Sequence, residues 1–225
     1  MTRRARSLSP LARLARLWTV FRSGRWLEAG QYRANYRRMD RIYLLEDPWN
    51  LTSPREKARF SLVNATISSV APDCGMLLEL GSGEGIQTAI LLDVARQVTG
   101  LEVSSVAVER ARASVPCAEF ITGRAEDAAS LLAGRRFDLI TACEILYYAQ
   151  DVEGILAGLR SLAPMILVIN YERRAHLLAH HFMRSGWVRL DDLASHGMRW
   201  HCHLWRAPAL SVRRELSEPT PGGRT

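Results

Sequence analysis

The stretch "MLLELGSGEGIQT", residues 76–88, decides the fold of this chain. Its first five residues are apolar apart from one acid and have the length of a buried strand. Glycine then occupies positions 81, 83 and 85, and helical spacing begins directly afterwards. The pattern predicts a strand, a glycine-rich turn and a helix. Such a turn bends tightly and lets backbone approach a ligand closely, so the question is which ligand it holds.

Strands and helices alternate along the rest of the chain. The pattern predicts strands in "VTGLEV", "CAEFIT", "FDLITA" and "MILVINY", and helices in "IQTAILLDVARQ", "SSVAVERARAS" and "DVEGILAGLRSLA". It also predicts a helix in "RAHLLAHHFMRSG", ending at Gly186, and two late strands in "WVRLDDL" and "MRWHCHLWRA". This order predicts an α/β, Rossmann-like fold, with a seven-stranded, mostly parallel sheet, helices on both faces and an antiparallel strand near the C-terminus.

Charge and composition divide the chain into three parts. The formal net charge is +7, and residues 1–60 carry more than the whole of that excess, so the remainder is close to neutral. We predict a basic N-terminal helical arm and lid at 1–60, a domain at 61–207 and a disordered, Pro/Gly-rich tail at 208–225. Within the arm, "SPLARLARLWTVFR" has one apolar helical stripe. Such a stripe is typical of a helix that packs on the domain, of a membrane-surface helix and of an organelle transit peptide. The basic arm could also contact an acidic partner.

Two features bear on the location of the protein. No apolar run approaches the roughly 18 residues that a membrane span needs. The cysteines, Cys74, Cys117, Cys143 and Cys202, are far apart and form no metal-binding or redox pair. Both features favour a cytoplasmic protein, which we expect to be a monomer or a dimer.

The residues around the glycines distinguish between possible ligands. A Walker loop needs a lysine that is missing here, and a dinucleotide fingerprint would place its third glycine at Ile86. Glu79, two residues before Gly81, would be unfavourable beside a pyrophosphate but favourable beside a cation. S-adenosylmethionine has no phosphate and carries a sulfonium and an α-ammonium group. Glu79 could attract that ammonium, and free N–H groups of the loop could bind the methionine carboxylate.

The spacing of Glu79, Gly81, Gly83 and Gly85 resembles motif I of the class I S-adenosylmethionine-dependent methyltransferases. The resemblance covers residues 76–162 in order and spacing. "DPWN" at 47–50, together with "FDLI" and "EILYY", is similar to the nodulation protein S group of these enzymes. The acceptor in that group is an amino group on a de-N-acetylated glucosamine oligosaccharide.

The resemblance implies a bacterial methyltransferase that uses S-adenosyl-L-methionine. Its acceptor would be a small molecule or saccharide methylated at an amine nitrogen, with N-methylation of an amino sugar as the leading hypothesis. An O-methyltransferase of a small metabolite and an inactive cofactor-binding subunit remain alternatives. The sequence argues against nucleic acid as the substrate, because "CEIL" stands where base methyltransferases have [DN]-P-P-[FYW].

The resemblance also implies cofactor contacts at three strand ends. Glu102, at the end of the second strand, is expected to accept the ribose hydroxyls. "TGRAEDA" resembles the adenine-binding turn, with the N–H of Ala125 and the side chain of Glu126 on the ring edge, although Arg124 stands where many relatives have Asp. The complete predicted set is Glu79, Gly81, Ser82, Gly83, Gly85, Glu102, Val103, Ala125, Glu126 and Cys143.

The residues after the fourth strand should face the transferred methyl group. Glu144 is the first catalytic candidate, since it could accept a proton from an amine or orient it. It could instead contact the cofactor or serve only structure. Tyr147 is the second candidate, either lining the methyl channel or packing as a core aromatic.

The segment before the domain is expected to cover the site. Tyr43 and Trp49 are its predicted contacts with the cofactor or substrate, and a helix packed permanently on the sheet is the alternative. "SPREKARF" predicts a helix start with Ser53 as N-cap and Pro54 in the first turn. His201 and His203 would share one face of a strand, but no acid or cysteine completes a ligand set, so no metal site is predicted.

Overall fold

The structure is a computed structural model that describes residues 36–208. The predicted arm helix in "SPLARLARLWTVFR" and all but the first residue of the predicted tail lie outside these residues. The described helices are α1 (Arg37–Ile42), α2 (Pro54–Val70), α3 (Ile86–Leu91), α4 (Ser105–Ser114), α5 (Ala128–Leu131), α6 (Val152–Arg160) and α7 (Glu172–Ala175). Short 3₁₀ helices cover Ala125–Asp127, Leu146–Tyr148 and Ala179–Met183.

One mixed sheet forms the centre of the domain. Its strands are β1 (Met76–Leu80), β2 (Gln97–Glu102), β3 (Glu119–Thr122), β4 (Leu139–Cys143), β5 (Met165–Tyr171), β6 (Trp187–Arg189), β7 (Leu193–Ser195) and β8 (Met198–Arg206). Their order is β3-β2-β1-β4-β5-β8-β6, and β7 also pairs with β8. The first five strands are parallel, whereas β8 runs antiparallel to β5, β6 and β7. The predicted fold class is confirmed.

Both faces of the sheet are covered by helices. In β1, Leu77 and Leu78 are fully buried in two different clusters, because successive side chains of a strand point to opposite faces. Leu77 packs with Val63 of α2, and Leu78 shares its cluster with Leu156 of α6. A strand buried on both faces needs apolar residues at consecutive positions, which is why "MLLEL" shows no alternation.

Strand order reverses at β1, which has β2 on one side and β4 on the other. The chain leaves β1 and β4 in opposite directions, so a crevice opens beyond their carboxyl ends. The glycine loop, residues 81–85, lies at this crevice. The topology therefore positions the predicted site.

Two predictions about the C-terminal part were wrong in detail. "WVRLDDL" forms two short strands, β6 and β7, so the sheet has eight strands rather than seven. "RAHLLAHHFMRSG" is not a continuous helix, because α7 ends at Ala175 and a 3₁₀ helix follows only at Ala179. Leu178 and Phe182 are buried against the core, and an i→i+3 hydrogen bond forms between them in the chain, from His181 to Leu178. This packing determines the conformation more strongly than helical spacing does.

Helix α2 begins as predicted. The side chain of Ser53 accepts a hydrogen bond from the N–H of Glu56, and Pro54 is the first helical residue. The helix runs across the division proposed at residue 60, and Phe60 is fully buried. The domain division remains a proposal. Within residues 36–208, no helix is long and apolar enough to cross a membrane.

Candidate functional site

A cavity of about 290 Å³ lies beyond the carboxyl ends of β1, β2 and β4. Most of the residues predicted for the site line it: Glu79, Gly81, Ser82, Gly83, Glu102, Val103, Ala125, Cys143, Glu144, Tyr147, Tyr43 and Trp49. Gly85 and Glu126 are the predicted residues that the structure places outside this lining. The fold thus brings together side chains from distant parts of the chain.

The glycines of the loop have different reasons to lack a side chain. All three have left-handed φ angles, +70° at Gly81, +53° at Gly83 and +79° at Gly85. A Cβ on Gly81 would lie 2.7 Å from the side chain of Ile145, and one on Gly83 would lie 2.9 Å from the hydroxyl of Tyr43. A Cβ on Gly85 would instead meet side chains of α4 and β3. Gly85 therefore packs the start of α3, and its contact with a cofactor stays a prediction.

Glu79 is buried at the end of β1, with 4% of its surface exposed. The hydroxyl of Thr88 donates to its Oε2 at 2.5 Å. Burial raises the pKa of Glu79 to about 8, while Thr88 and the charge of Arg59 act against the rise. The side chain therefore carries a proton for much of the time at neutral pH, and a bound cation would favour its carboxylate form.

Glu102 is fixed by backbone donors. Its Oε2 accepts the N–H of Gly83 at 3.0 Å, and its Oε1 accepts the N–H of Ser104 at 2.9 Å. Burial raises the pKa of Glu102, and these backbone N–H groups oppose the rise. Each carboxylate oxygen keeps further acceptor capacity, and the residue lines the cavity, so it can receive hydroxyl groups from a ligand.

Glu126 lies beside the cavity and holds a residue of the N-terminal segment. The hydroxyl of Tyr36 donates to its Oε1 at 2.6 Å. Its Oε2 is buried without a hydrogen-bond partner within residues 36–208, and Arg124 Nε is 3.6 Å from that oxygen. Ala125 lines the cavity next to it. An acceptor remains available here, as an adenine amino group would require, and the adenine contact stays a prediction.

Glu144 follows β4 with a backbone φ of +61°, which is rare for a residue other than glycine. Its Oε1 accepts the N–H of Tyr171, the last residue of β5, at 2.5 Å. Its Oε2 accepts the hydroxyl of Tyr147 at 2.9 Å. Burial raises the pKa of Glu144. The carboxylate therefore joins two strand ends and fixes the direction of the Tyr147 phenol.

An aromatic wall continues from this point. The rings of Tyr147 and Tyr148 have centroids 4.6 Å apart, and the ring of Trp49 lies 6.2 Å from that of Tyr148. Trp200 of β8 lines the same cavity. Rings of this kind offer flat apolar surfaces on which the face of a sugar can pack.

We call residues 36–52, which comprise α1 and the turns after it, the roof. The glycine loop itself holds the roof through Glu84. The carboxylate of Glu84 accepts Arg110 Nη1 at 2.6 Å and the N–H of Asp47 at 2.7 Å. Arg110, on α4, also donates to the carbonyl of Leu45 at 3.0 Å. The roof is thus latched to the loop it covers.

The predicted lid residues lie inside this roof. Tyr43 is 5% exposed, and its hydroxyl accepts Trp49 Nε1 at 3.1 Å. Farther along, Ser104 donates its hydroxyl proton to Asp40 at 2.7 Å. Tyr43 and Trp49 therefore face the cavity together, and their role as a lid stays a prediction.

Sequence reasoning missed Arg59 and Glu56. Both line the cavity from α2, and Arg59 Nε donates to Glu56 Oε2 at 2.7 Å. Arg59 is 3% exposed and Glu56 is 7% exposed. A usable signal was present, because the two charges are three residues apart on the same helix face as the apolar Phe60 and Val63.

The histidines of β8 do not gather metal ligands. Within residues 36–208, no group of three or more His, Cys, Asp or Glu side chains could hold a metal ion. His203 stacks on Phe182 with centroids 4.2 Å apart, and burial lowers the pKa of His203 to about 4. His201 Nε2 lies 4.0 Å from Asp192. Packing accounts for these positions.

Two solved structures share this architecture. A crystal structure of the N-methyltransferase NodS from Bradyrhizobium japonicum WM9 in complex with S-adenosyl-L-homocysteine matches with a TM-score of 0.60 and 18% identity. The match covers 77% of this chain and 98% of that one. The DhpI–S-adenosylhomocysteine complex matches with a TM-score of 0.62 and 17% identity, covering 80% of this chain and 98% of that one. Identities this low establish the fold alone.

Sequence comparison gives the family. Nodulation protein S of Bradyrhizobium diazoefficiens is 30% identical over 133 residues, which are 59% of this chain and 63% of that protein. Nodulation protein S of Sinorhizobium fredii is 29% identical over 133 residues, which are 59% of this chain and 61% of that protein. The chain thus matches less than two thirds of the length of these relatives. The family model of nodulation protein S (NodS) matches residues 34–170, more than half of the chain, so the predicted resemblance is confirmed and the chain belongs to the nodulation protein S family.

Proposed function

We propose that this protein is an S-adenosylmethionine-dependent methyltransferase that methylates an amine nitrogen of a small molecule or saccharide. An amino sugar is the leading acceptor. The observation that carries the proposal is one cavity that joins two buried carboxylates, Glu79 and Glu102, to an aromatic wall beside Glu144 and Tyr147. A relative with the same fold is an N-methyltransferase crystallised with S-adenosylhomocysteine.

Unpartnered polar atoms test whether these residues fit the cofactor. Arg59 Nη1, Ser82 Oγ and Gln87 Nε2 are buried without a hydrogen-bond partner in the described part of the chain. All three residues line the cavity. A buried polar atom without a partner costs about 1–3 kcal/mol, so a polar ligand that pairs with these atoms would recover that free energy. A zwitterionic nucleoside offers such partners, and the residues fit S-adenosylmethionine.

Each end of the cofactor has a counterpart in the cavity. Glu79 would hold the α-ammonium group, and Glu102 would accept the two ribose hydroxyls. The N–H of Ala125 and the free oxygen of Glu126 would bind the adenine edge. When bound, S-adenosylmethionine supplies a methyl group on a sulfonium, which is already an activated leaving group. The protein therefore has to position, desolvate and remove a proton.

Proton removal falls to the pair formed by Tyr147 and Glu144. An amine must be neutral to attack a methyl group, yet a free amine is mostly protonated at pH 7. The Tyr147 oxygen can accept an N–H from the amine while its own proton is donated to Glu144. Because burial raises the pKa of Glu144, its carboxylate is a better proton acceptor than an exposed one. Tyr148 and Trp49 would pack against the sugar face.

In the proposed function, the roof acts as a lid over the cofactor. It covers the cavity through Tyr43 and Trp49. Two bonds hold it closed, from the N–H of Asp47 to Glu84 and from Arg110 to the carbonyl of Leu45. As a lid, the roof would move away when the cofactor enters or leaves. A closed roof excludes water from the reacting groups.

Binding and turnover test the proposal separately. Calorimetry should show S-adenosylhomocysteine binding with a micromolar Kd, about −8 kcal/mol, and no binding of NADH. Methyl transfer is then assayed with a glucosamine oligosaccharide that carries a free amine and with its fully N-acetylated form. We expect S-adenosylhomocysteine to form only with the free amine. Tight NADH binding without a response to S-adenosylhomocysteine would contradict the cofactor. Cofactor binding without turnover of any acceptor would favour an inactive binding subunit.

A further inference from the structure

Arg59 is a buried cation that its protein partners satisfy only in part. Its side chain lines the cavity with 3% of its surface exposed. Nε is bound to Glu56, but Nη1 is buried and has no hydrogen-bond partner within residues 36–208. A guanidinium group has five N–H donors in a rigid plane, and it pairs best with a planar carboxylate. The free edge of Arg59 therefore lacks an anionic acceptor.

The charge of Arg59 acts on three other side chains that line the cavity. Burial raises the pKa of Glu79, Cys143 and Glu144, and the charge of Arg59 acts against the rise in all three. Glu79 lies near the end of β1, Cys143 is the last residue of β4 and Glu144 follows it. The guanidinium group is thus close enough to act both on the acid proposed to face the cofactor ammonium and on the residues proposed to face the methyl group. In the proposed binding mode, the amino-acid part of the cofactor lies beside these groups.

We propose that Arg59 binds the α-carboxylate of the cofactor's methionine part and that Glu56 positions it. The inference rests on the proposed function and replaces the earlier expectation that loop N–H groups take this carboxylate. Glu79 and Arg59 would then pair with the two charges of a zwitterion, acid to ammonium and base to carboxylate. Glu56 balances Arg59 in the free protein, where an uncompensated buried cation would be costly.

Decarboxylated S-adenosylmethionine provides the test, because it differs from S-adenosylmethionine only in lacking this carboxylate. Calorimetry on the unchanged protein should show the complete cofactor binding roughly tenfold to 100-fold more tightly than the decarboxylated one. In Arg59→Gln, the affinity for S-adenosylmethionine should fall by the same factor. The affinity for the decarboxylated compound should stay within about threefold, so that the preference disappears.

Lys57→Gln is the matched control. It removes one positive charge from the same helix at an exposed position, and the preference for the complete cofactor should persist. Circular dichroism and melting temperature show whether each variant is folded, and the preference of the unchanged protein needs no variant at all. Equal binding of both compounds by the unchanged protein would overturn the inference alone. A full preference that survives in folded Arg59→Gln would overturn it as well.

Two further outcomes are informative. If neither compound binds the unchanged protein, the proposed function fails and this inference fails with it. If Arg59→Gln keeps the cofactor affinity but raises the KM of the acceptor, Arg59 binds the acceptor, and its assignment to the methionine carboxylate is wrong.

Discussion

The two walls of the cavity are built in different ways. The floor consists of strand ends and the glycine loop, and Glu102 is held there by N–H groups of Gly83 and Ser104. The roof is held to the domain by side chains, chiefly by Glu84 and Arg110. A wall fixed by its own backbone is rigid, whereas a wall held by a few side-chain bonds can open. We therefore expect the floor to set cofactor affinity and chemistry, and the roof to set the rate of exchange.

Among the residues of the floor, substitution of Glu144 should have the largest effect on the reaction rate. Glu144→Gln keeps shape and hydrogen-bonding reach but accepts a proton poorly. We expect kcat to fall at least tenfold, since removal of a general base typically costs about 10² to 10⁴ in rate. Affinity for S-adenosylhomocysteine should stay within about threefold of the unchanged protein. The measurement is steady-state kinetics with a parallel titration.

A pH profile sharpens this result. The loss should shrink at high pH, where the amine deprotonates without help. Tyr147→Phe should show the same trend if the phenol passes the proton to Glu144. Lost cofactor affinity with unchanged kcat would make Glu144 a cofactor contact, and catalysis would rest on positioning.

Glu102 should control affinity through the floor. Glu102→Gln keeps an oxygen for one of the two backbone donors but loses the charge that strengthens hydrogen bonds to ribose, worth about 1.5–3 kcal/mol. We expect S-adenosylhomocysteine to bind roughly tenfold to 150-fold more weakly by calorimetry. Glu109→Gln, on the exposed side of α4, serves as the control and should bind normally. Unchanged affinity in the folded Glu102 variant would place the ribose elsewhere.

A substitution that loosens the roof should change the rate at which the cofactor dissociates more than it changes the cofactor affinity. Arg110→Gln weakens the bond to the Leu45 carbonyl of the roof and removes the charged bond that orients Glu84. The side chain of Arg110 is 31% exposed, so we expect a modest effect. S-adenosylhomocysteine should dissociate about fivefold to tenfold faster in stopped-flow measurements. Association should also quicken, so that the Kd changes much less. A large rise in Kd with an unchanged dissociation rate would show that the roof is a permanent wall.

Protonation of Glu79 should make the affinity for the cofactor depend on pH. Its pKa of about 8 in the free protein means that binding a cation releases a proton. Affinity should therefore rise about fivefold from pH 7 to pH 8. Calorimetry in phosphate and in Tris should give different apparent enthalpies, which measure the released proton. Equal enthalpies in the two buffers would show that Glu79 is already ionised before binding.

The same group affects folding. Its pKa rises from 4.5 in an exposed state to about 8 in the folded protein. Between these values the unfolded chain is ionised at this position and the folded protein is not. The free energy of unfolding should therefore decrease as the pH rises from 4.5 to 8 and level off above it. Glu79→Gln should remove this part of the pH dependence.

The smallest effect is expected from the extreme N-terminus. Residues 1–24 precede the roof and every motif of the floor, so deleting them should leave S-adenosylhomocysteine affinity within about twofold. Their positive charge would then serve contact with an anionic surface or an acidic partner. A large loss of affinity on truncation would show that this stretch belongs to the site.

The two walls also differ in how far the sequence predicted them. Glu79 and Glu102 lie next to the last residues of predicted strands. Strand ends of a parallel sheet meet at one edge, so short-range pattern was enough to bring the two acids together. The contact between Tyr36 and Glu126 joins residues 90 positions apart, and no periodicity indicates it. Arg59 shares a helix face with the apolar Phe60 and Val63, but this spacing alone does not show that the face borders a cavity.

The same distinction explains the errors in secondary structure. Helix α2 was predicted because its cap is local, with Ser53 and Pro54 at its start. The stretch after α7 has helical spacing as well, but its shape depends on where Phe182 meets the core. Local signals predicted elements whose ends are fixed by neighbouring residues. They failed where packing against residues distant in sequence determines the backbone conformation.

The bond between Glu84 and Arg110 has an evolutionary consequence. Position 84 lies between two glycines of a motif in which it would count as free to vary, yet here it carries the anchor of the roof. Mutations at 84 and 110 should therefore be coupled across relatives, with an acid at one position accompanying a base at the other. Lineages that lose both charges should show compensating changes within residues 45–47. Such linked substitutions in an alignment would mark which members of the family share this roof.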